Sequence, residues 1–482
     1  MTGRQLFEEY KAYPGIWDEM CADNTIRPQY LQVFNDISQL PDELLHQKDK
    51  QAGELFMNQG ITFTVYSDNA GIERIFPFDI IPRILTSKEW DHIQQGITQR
   101  LKALNLFLKD IYSEQQIIKD KIIPAELIAT CPHYTREVHG VSVPHDLYVH
   151  ISGIDLIRGQ DGTFYILEDN LRTPSGVSYM LENREVTKRI FPGMLADSKV
   201  RMINSYPLLL QEILASLAPQ QIADPTVVLL TPGVYNSAYF EHTFLARSMG
   251  VPLVEGRDLL IDNHKVYMKT TAGLRQVHVI YRRIDDDYLD PLVFKPDSAL
   301  GVPGLMSAYR KGNVAIANAV GNGVADDKAV YAFVPAMIKY YLNEEPILPN
   351  VPTYGLEEAE VREYVFKNME NMVIKRTNQS GGYGMVMGNK ASEKELEEVK
   401  KAIEETPREF IAQPIIKLST VPCFIDGKLQ PRHVDLRPYA LCGPSGIKIV
   451  PGGLTRVALR EGSLVVNSSQ GGGSKDTWVV DL

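Results

Sequence analysis

The clearest pattern of hydrophobic and polar positions in the chain lies within residues 148–179. An apolar, β-branched run (149–157) is followed by a turn-forming group (159–162) and then by a second extended run (163–167). Two such runs around a short glycine-containing turn predict a β-hairpin. We expect residues 160–161 to lie at its tip.

In that hairpin Asp155 would lie opposite Ile166, and the two-residue period of a strand places Glu168 and Asn170 on the face of Asp155. Two carboxylates and an amide oxygen are hard ligands that suit Mg²⁺. The alternative is a solvated hairpin with its acids on the wet face. The next segment, LRTPSGVSYM (171–180), favours the metal site, since its Arg, Thr-Pro and Ser-Gly suit a polyphosphate site and have no purpose beside a surface hairpin.

Before the hairpin, the apolar spacing predicts an amphipathic helix over 41–58 and a longer helix over 87–112. Ser87 resembles an N-cap for the second helix, with an acidic residue close behind it. Between them, 61–67 and 73–85 are predicted to form an extended pair. Two prolines in the second of these segments place it at a sheet edge or in a loop.

After the hairpin, residues 224–262 have a β-α-β pattern, which predicts a small doubly wound lobe. Its strand-to-helix turn (231–237) could hold an anion, although a purely structural turn is the favoured interpretation. The following strand ends in Arg282 and Arg283, just before the acidic turn 285–287. These arginines could orient a substrate carboxylate, or they could pair with the neighbouring aspartates.

The last third contains a helix over 324–342 with Lys328 near its start, and a strand (372–377) that carries Lys375. The strand enters a glycine-rich loop, 378–385, whose backbone N–H groups could wrap phosphate oxygens. Lys375 could reach the same phosphates as a point charge. A mobile surface loop is the alternative.

Further along, the strand IAQP (411–414) offers backbone that could contact an adenine edge. In RHVDLR, Arg432, Asp435 and Arg437 are expected to share one strand face near the nucleotide. A structural ladder of ion pairs is the alternative for these three residues.

Composition narrows the class of protein. The chain has 482 residues, is 44% hydrophobic and 23% charged, and is therefore expected to form two or three packed lobes of a soluble enzyme. Its net charge of -10 argues against nucleic acid as the main partner. Four widely spaced cysteines, an acidic N-terminus and no long apolar run predict a cytoplasmic protein without disulfides, zinc, signal peptide or membrane span.

A strand lysine, a glycine loop, a hinge ending in Gln, and an Asp…Glu-x-Asn set are the parts of an ATP-grasp ligase. Here the metal hairpin precedes the lysines, so the chain resembles the circularly permuted ATP-grasp proteins (type 2), and in particular the synthetase half of glutathionylspermidine synthase. Nearly the whole chain shares this resemblance, through the blocks FPFDIIPR, HISGIDL, LEDNLRTPSGVSYMLENR, LTPGVYNSAYFEH, YRRIDDDYLDPLVF, GNGVADDKAVYAF, RHVDLRPYAL and GGLTRVALREGSLVVNSSQGGGSKDTW.

The resemblance implies an α/β (α+β) fold: a circularly permuted ATP-grasp core of two lobes with a small doubly wound α/β lobe. The implied parts are an N-terminal region (1–140), the magnesium-binding half of the core (141–215), the doubly wound lobe (216–320) and the nucleotide-lysine and glycine-loop half (321–482). The implied cofactors are ATP and Mg²⁺. The implied site residues are Asp155, Glu168 and Asn170 for magnesium, Lys328 and Lys375 for the nucleotide, Gly381, Gly382 and Gly384 for the phosphate lid, and Gln413 for the adenine hinge.

The sequence departs from the family pattern at Gly153, where an arginine is expected two residues before the metal aspartate. We expect its charge-stabilising task to pass to Arg172 or Arg283, or to be lost. We also expect no cysteine amidase half, since these 482 residues contain no counterpart of it, and the tail NSSQGGGSKDTW differs from that of the glutathionylspermidine enzymes.

The resemblance implies an ATP-dependent carboxylate–amine ligase that forms an amide bond through an acyl phosphate. Its partners would be a small-molecule or peptide carboxylate and an amine, neither of which the sequence identifies. Two alternatives are a regulatory module that binds ATP and a phosphotransferase that forms no amide.

Overall fold

The computed structural model describes residues 3–23, 25–67, 70–219, 222–377, 384–466 and 472–482, with the backbone alone described at 62–67 and 70–75. Its α-helices are α1 Gly3–Glu9, α2 Leu31–Ser38, α3 Asp42–Asn58, α4 Ser87–Ile111, α5 Gln116–Lys119, α6 Ala125–Ala129, α7 Val177–Ile190, α8 Pro192–Asp197, α9 Tyr206–Ser216, α10 Tyr239–Met249, α11 Leu305–Arg310, α12 Lys328–Tyr331, α13 Val334–Leu342, α14 Ala359–Lys367 and α15 Glu393–Glu405.

Its strands are β1 Cys21–Ala22, β2 Thr25–Ile26, β3 Thr62–Ser67, β4 Ala70–Ile75, β5 Phe78–Thr86, β6 Ile151–Arg158, β7 Phe164–Asn170, β8 Val227–Leu230, β9 Leu253–Val254, β10 Leu259–Asp262, β11 Lys265–Thr270, β12 Gly273–Val277, β13 Val279–Arg282, β14 Ala315–Ala317, β15 Tyr354–Gly355, β16 Met372–Arg376, β17 Val386–Met387, β18 Phe410–Pro414, β19 Thr420–Ile425, β20 Lys428–Arg437, β21 Tyr439–Gly443, β22 Gly446–Ile449, β23 Leu454–Val457 and β24 Gly473–Val480.

Nine strands from three distant parts of the chain, 78–86, 151–170 and 420–480, form one large sheet. Its order is β22–β21–β6–β20–β23–β24–β5, with β7 beside β6 and β19 beside β20. All of these pairs are antiparallel except β24 with β5, which are parallel. The predicted hairpin, β6–β7, therefore obtains its sheet neighbours from residues almost 300 positions further along the chain.

A separate four-stranded antiparallel sheet, β15–β18–β16–β17, forms the small lobe (354–414). Side chains from its strands pack with those of α14 and α15 around Val365, Ile374 and Ile403. The proposed segment 321–482 thus contributes strands to two different sheets.

The predicted doubly wound lobe is present in the structure. Strands β14–β13–β8–β9 form a parallel sheet, and α10 connects β8 to β9 as the β-α-β pattern requires. Gly250 ends α10 in a left-handed conformation (φ 70°), which favours glycine because it has no Cβ. The overall fold is therefore the mixed α/β arrangement that the sequence predicts.

Three local predictions need correction. The predicted pairing of 61–67 with 73–85 is confirmed only for 73–75, which lies in β4 and pairs with β3. Segment 78–86 is an edge strand, as its prolines predicted, but it pairs with β24. The cap of α4 is Thr86 and not Ser87, because the Thr86 Oγ1 accepts a hydrogen bond from the backbone N–H of Glu89.

The predicted helix 324–342 is divided into α12 and α13. A proline in the first turn of α13 has no N–H to donate back into α12, so a new helix begins there. Asp327 caps α12 by accepting hydrogen bonds from the N–H groups of Ala329 and Val330, and this fixes the direction in which Lys328 leaves the chain.

Helix α4 lies at the centre of the larger core, with Trp90, Ile97 and Leu104 fully buried. Gly96 lets a neighbouring side chain approach closely, because a Cβ there would lie 2.4 Å from Leu348 Cγ. In the described part of the chain, no helix is both long and apolar enough to span a bilayer.

A buried carboxylate joins the N-terminal region to the large sheet. Glu19 is fully buried and accepts hydrogen bonds of 2.6 Å from both Arg83 of β5 and Arg158 of β6, and one of 2.8 Å from the Ser419 hydroxyl. Burial alone would raise the pKa of Glu19, but the two arginines outweigh it and lower this pKa from 4.5 to about 2. The ionised form is thus strongly favoured by the fold.

We predict that Glu19→Gln lowers the free energy of unfolding at pH 7 by about 3 kcal/mol, as a pKa shift of this size implies. Because the folded-state pKa is depressed, this stabilisation is complete above about pH 4.5 and is lost as the pH falls toward 2. Urea titrations of wild type and variant should therefore converge over that window. The exposed Glu8→Gln is the control, and a constant gap between wild type and Glu19→Gln at every pH would contradict the assignment.

Candidate active site

The hairpin β6–β7 holds the three predicted metal ligands on one face. Its tip lies at 159–163, where Gly159 N–H donates to the Thr163 carbonyl at 2.9 Å. The register differs from the prediction, because Asp155 pairs with Glu168 and not with Ile166. An irregularity after Asp155 adds one residue on β7, and the extra residue moves Glu168 directly opposite the aspartate. Asn170 is two residues further along the same face.

Asp155 is buried and is held by two arginines from β20 and β23, the two strands that follow β6 in the order of the large sheet. Arg437 of β20 donates to both of its oxygens, through Nε at 2.5 Å and Nη2 at 2.8 Å. Arg456 of β23 donates to Oδ2 at 2.6 Å and also binds Asp435. Burial would raise the pKa of Asp155, but the two guanidinium groups hold this pKa well below its usual range.

Arg437 also explains the departure at position 153. A Cβ on Gly153 would lie 3.0 Å from Arg437 Cδ, so the stem of Arg437 occupies the space beside the glycine. The guanidinium groups bonded to Asp155 are those of Arg437 and Arg456. Arg172 bonds Asp326 and Arg283 bonds the Pro174 carbonyl, so the expected charge-stabilising task of these two arginines stays a prediction. Sequence patterns do not predict that Arg437 lies beside Gly153, because the two residues belong to strands that are far apart in the chain.

The predicted shared face of Arg432, Asp435 and Arg437 is wrong for the first of them. Alternate residues of a strand point to opposite faces, so Arg432 lies on the face opposite to Asp435 and Arg437. Arg432 donates to the Leu459 carbonyl at 2.9 Å. Arg456 was missed altogether. Its signal is a charged residue inside the apolar run LTRVAL, which predicts a buried ion pair.

Glu168 and the two predicted nucleotide lysines lie close together. Lys328 Nζ is 3.7 Å from Glu168 Oε2, and Asn170 Nδ2 is 3.5 Å from Glu168 Oε1. Burial lowers the pKa of Lys375, with a further lowering from Lys328 and an opposing effect from Glu168 and Asp155. Charges on the small lobe and on the hairpin therefore interact directly.

Gln413 lies beside Lys375 on the neighbouring strand β18. Lys375 Nζ donates to Gln413 Oε1 at 2.7 Å, and Gln413 Nε2 donates to the Thr353 hydroxyl at 2.9 Å. Both side chains line a cavity of about 110 Å³ between the small lobe and the large sheet. Its other walls are mainly apolar and include Val373 and Leu418.

Asp169 anchors the strand that carries Glu168 and Asn170. It points away from these residues and binds Arg100 of α4 through both oxygens, at 2.7 and 2.6 Å. Arg100 also donates to Asn350 Oδ1 at 2.7 Å. The strand is thereby fixed to the buried helix, which keeps Glu168 and Asn170 turned toward the lysines.

The segment after the hairpin, 171–178, is held by side chains from several parts of the chain. Its backbone groups bond to Asn318, Asp326, Arg283, Glu241, Arg437 and Tyr439. These bonds fix the path of the segment although it belongs to no strand.

The two predicted catalytic arginines differ in exposure. Arg172 is half-buried and bonds Asp326 Oδ2 at 2.8 Å. Arg283 is buried and donates to the Pro174 carbonyl at 2.7 Å and to Glu241 at 3.2 Å, so it supports the segment from below. The alternative of pairing with the adjacent acidic turn holds for Arg282, which binds Asp286 at 2.6 Å.

The glycine loop is described only at its end. Gly381 and Gly382 lie outside the described residues, whereas Gly384 is described, exposed and in a left-handed conformation (φ 66°). That conformation suits glycine at the point where the loop enters β17.

The donor set fits a magnesium ion. Within the described ranges no group of three or more His, Cys, Asp and Glu side chains is found, so a site here depends on Asn170 as well. Glu168 and Asn170 are partly exposed. A carboxylate has about four lone-pair positions, of which the arginines use three on Asp155. One or two carboxylates with water and phosphate are sufficient for Mg²⁺.

Comparison with known proteins is consistent with this geometry. The family described as circularly permuted ATP-grasp type 2 matches residues 82–458. An uncharacterized protein of Synechocystis is 52% identical over 97% of this chain and 98% of its own length. One from Mycobacterium tuberculosis is 50% identical over 99% of this chain and 87% of its own length.

Two further relatives carry more informative names. A protein of Frankia casuarinae with the provisional name glutamate–cysteine ligase 2-2 is 41% identical over 98% of this chain, which spans 55% of that protein. The apo structure of a glutathione synthetase-like effector from Globodera pallida superposes with a TM-score of 0.58 over 92% of this chain and 99% of that one. At 13% identity this similarity shows the fold alone.

We predict that Gly153→Val lowers the free energy of unfolding by about 1–3 kcal/mol, because the new side chain must displace the stem of Arg437. Gly355→Val is the matched control, since a Cβ at this strand glycine meets nothing within 4 Å. Urea denaturation of the two variants distinguishes them. Equal midpoints would show that Arg437 does not depend on the space beside Gly153.

Proposed function

Since the chain belongs to the circularly permuted ATP-grasp type 2 family, we propose that it is an ATP-dependent carboxylate–amine ligase that forms an amide bond through an acyl phosphate. The observation that carries the proposal is the meeting of polar groups from the small lobe and the hairpin. Lys375 and Gln413 line the cavity between the small lobe and the large sheet. Lys375 also interacts electrostatically with Glu168, whose carboxylate lies 3.7 Å from Lys328 Nζ.

In the proposed complex the adenine base occupies the apolar cavity, beside Gln413 at the hinge. The phosphates extend toward Lys375 and Lys328, which neutralise them as point charges. The glycine loop, including Gly381, Gly382 and Gly384, covers the phosphates. An apolar pocket with a few polar groups at one end is the usual form of a cofactor site.

Asp155, Glu168 and Asn170 are the proposed ligands of Mg²⁺, which would stabilise charge on the phosphates when bound. Asp155 has the more constrained role, since Arg437 and Arg456 fix its position. Glu168 and Asn170 are free to turn toward an ion, because their side chains are partly exposed.

The proposed chemistry proceeds in two steps. An oxygen of the substrate carboxylate attacks the γ-phosphorus of ATP, and the bond to the β-phosphate oxygen breaks to release ADP. The amine nitrogen then attacks the acyl carbon, phosphate leaves and the nitrogen loses a proton. The chain supplies positioning and positive charge but no nucleophile.

The two arginines have separate proposed tasks. Arg172, half-buried at the surface of the fixed segment, would neutralise the substrate carboxylate or the developing acyl phosphate. Arg283 would be a positioning residue, because it binds the Pro174 carbonyl and so holds the segment that carries Arg172.

The relatives favour small substrates that resemble amino acids. The relative from Frankia casuarinae has the provisional name of a ligase of glutamate and cysteine. A carboxylate from an amino acid or short peptide and an amine of similar size are therefore the first substrates to test.

We predict that incubation with Mg-ATP and pools of amino acids and short peptides yields an amide, ADP and free phosphate in equal amounts, detectable by mass spectrometry. Glu168→Gln should abolish ADP formation, because it removes a charged magnesium ligand. A stable phosphorylated product would identify a phosphotransferase instead. Nucleotide binding without consumption in any pool would identify a regulatory module.

We also predict that Lys375→Met weakens ATP binding at least tenfold and lowers turnover, while the melting temperature of the nucleotide-free protein stays within a few degrees. Methionine preserves the packing of the lysine stem, so the fold should be little affected. The lost positive charge would have stabilised the phosphates of bound ATP and also the transition state, so both binding and turnover should fall. Lys367→Met, on the exposed face of α14 in the same lobe, is the control. Identical ATP titrations of the two variants would exclude a phosphate role for Lys375.

A further inference from the structure

The cavity between the lobes has a third wall that neither sheet provides. After β23 the chain continues through 458–466 and lies against the large sheet. Leu464 and Val466 of this segment line the cavity, beside Ile157 of the hairpin and Leu418 ahead of β19. Val466 is buried, with 8% of its surface exposed, and Leu464 is half-buried.

The wall segment, defined here as 460–466, is held in place at several points. Ser463 N–H donates to the Arg460 carbonyl at 3.1 Å, and the Ser463 hydroxyl accepts from Val465 N–H at 3.1 Å. These bonds form a turn that directs Leu464 and Val466 inward. From the small lobe, Lys390 Nζ reaches the Gly462 carbonyl at 3.5 Å.

The chemistry of the lining suits a flat, uncharged ring. The polar side chains in it are those of Lys375, Gln413 and Asp435, and the remaining lining side chains are apolar. Aliphatic side chains on two sides exclude water from the faces of a ring, and a narrow cavity discriminates among rings mainly by their shape.

We propose that Leu464 and Val466 contact the nucleotide base, so that the wall segment determines the affinity for adenine and its preference over guanine. This inference rests on the proposed ATP site and adds a chain segment that the glycine loop, the lysines and the hinge do not include.

The phosphates have no part in this contact. Lys375 borders the cavity through its bond to Gln413, whereas Lys328 and Glu168, which are 3.7 Å apart, are not among the residues that line it. Truncation of Leu464 should therefore affect a ligand that has a base and leave a ligand with phosphates alone unaffected. That difference separates a base contact from a general effect on the fold.

The test is calorimetric titration of the full chain with Mg-ATP, Mg-GTP and Mg-tripolyphosphate. For Leu464→Ala we expect the Kd of ATP to rise about tenfold, as the loss of a large part of a buried leucine contact implies. The Kd of tripolyphosphate should change less than twofold, and the ratio of the GTP Kd to the ATP Kd should fall. Leu464→Met, which retains the apolar bulk, should stay within about threefold of wild type.

Leu292→Ala, a substitution at a leucine with 74% of its surface exposed, is the control for loss of an aliphatic side chain. If wild type binds ATP and Leu464→Ala binds it with a Kd within twofold of the wild-type value, the proposed contact with the base is wrong. The proposed function would remain intact in that case. An equal loss of ATP and tripolyphosphate binding would also overturn the contact with the base, in favour of a fold defect. Wild type that binds neither ligand would overturn both the wall and the proposed function.

Discussion

The buried ion cluster of Asp155, Arg437, Arg456 and Asp435 is the interaction on which the site depends. Removing a buried charge from water costs several kcal/mol, and only an opposite charge with good hydrogen bonds compensates for it. Here two arginines and two aspartates satisfy each other across strands β6, β20 and β23. Each strand is therefore held in a register that leaves no charge unpaired, and that register aligns Glu168 and Asn170 toward the lysines.

The segment 171–178 extends this arrangement to the other lobes. Arg437 binds both Asp155 and the Ser175 carbonyl, and Arg283 and Glu241 bind the same segment from the doubly wound lobe. Arg437 and Arg283 each have at least two partners, so a shift of one lobe also shifts the groups that hold the hairpin. This coupling depends on a few long polar side chains.

Much of the local structure could be predicted from the sequence, and the long-range pairing could not. The turn at 159–163 and the end of α10 at Gly250 follow from neighbouring residues alone. The pairing of Asp155 with Glu168 depends on one extra residue within β7, which periodicity does not show. Arg437 lies beside Gly153 although the two residues are 284 positions apart in the chain. Leu464 likewise lines a cavity together with the distant Ile157. Such contacts arise from tertiary packing, for which a single sequence without homologues carries almost no signal.

The order of the large sheet has a consequence for how the chain folds during synthesis. Strands β5 and β6 are made early, yet β20, β23 and β24 lie between them in the sheet. The ribosome must therefore release residues up to 480 before the strands from the first third of the chain can join. Until then some of the hydrogen-bond partners of Glu19, Arg83 and Asp155 have not been synthesised. The exposed strand edges can meanwhile pair with other chains. A protein of this topology folds late in its own translation, and its dependence on chaperones should exceed that of an ATP-binding protein whose sheet is made from consecutive strands.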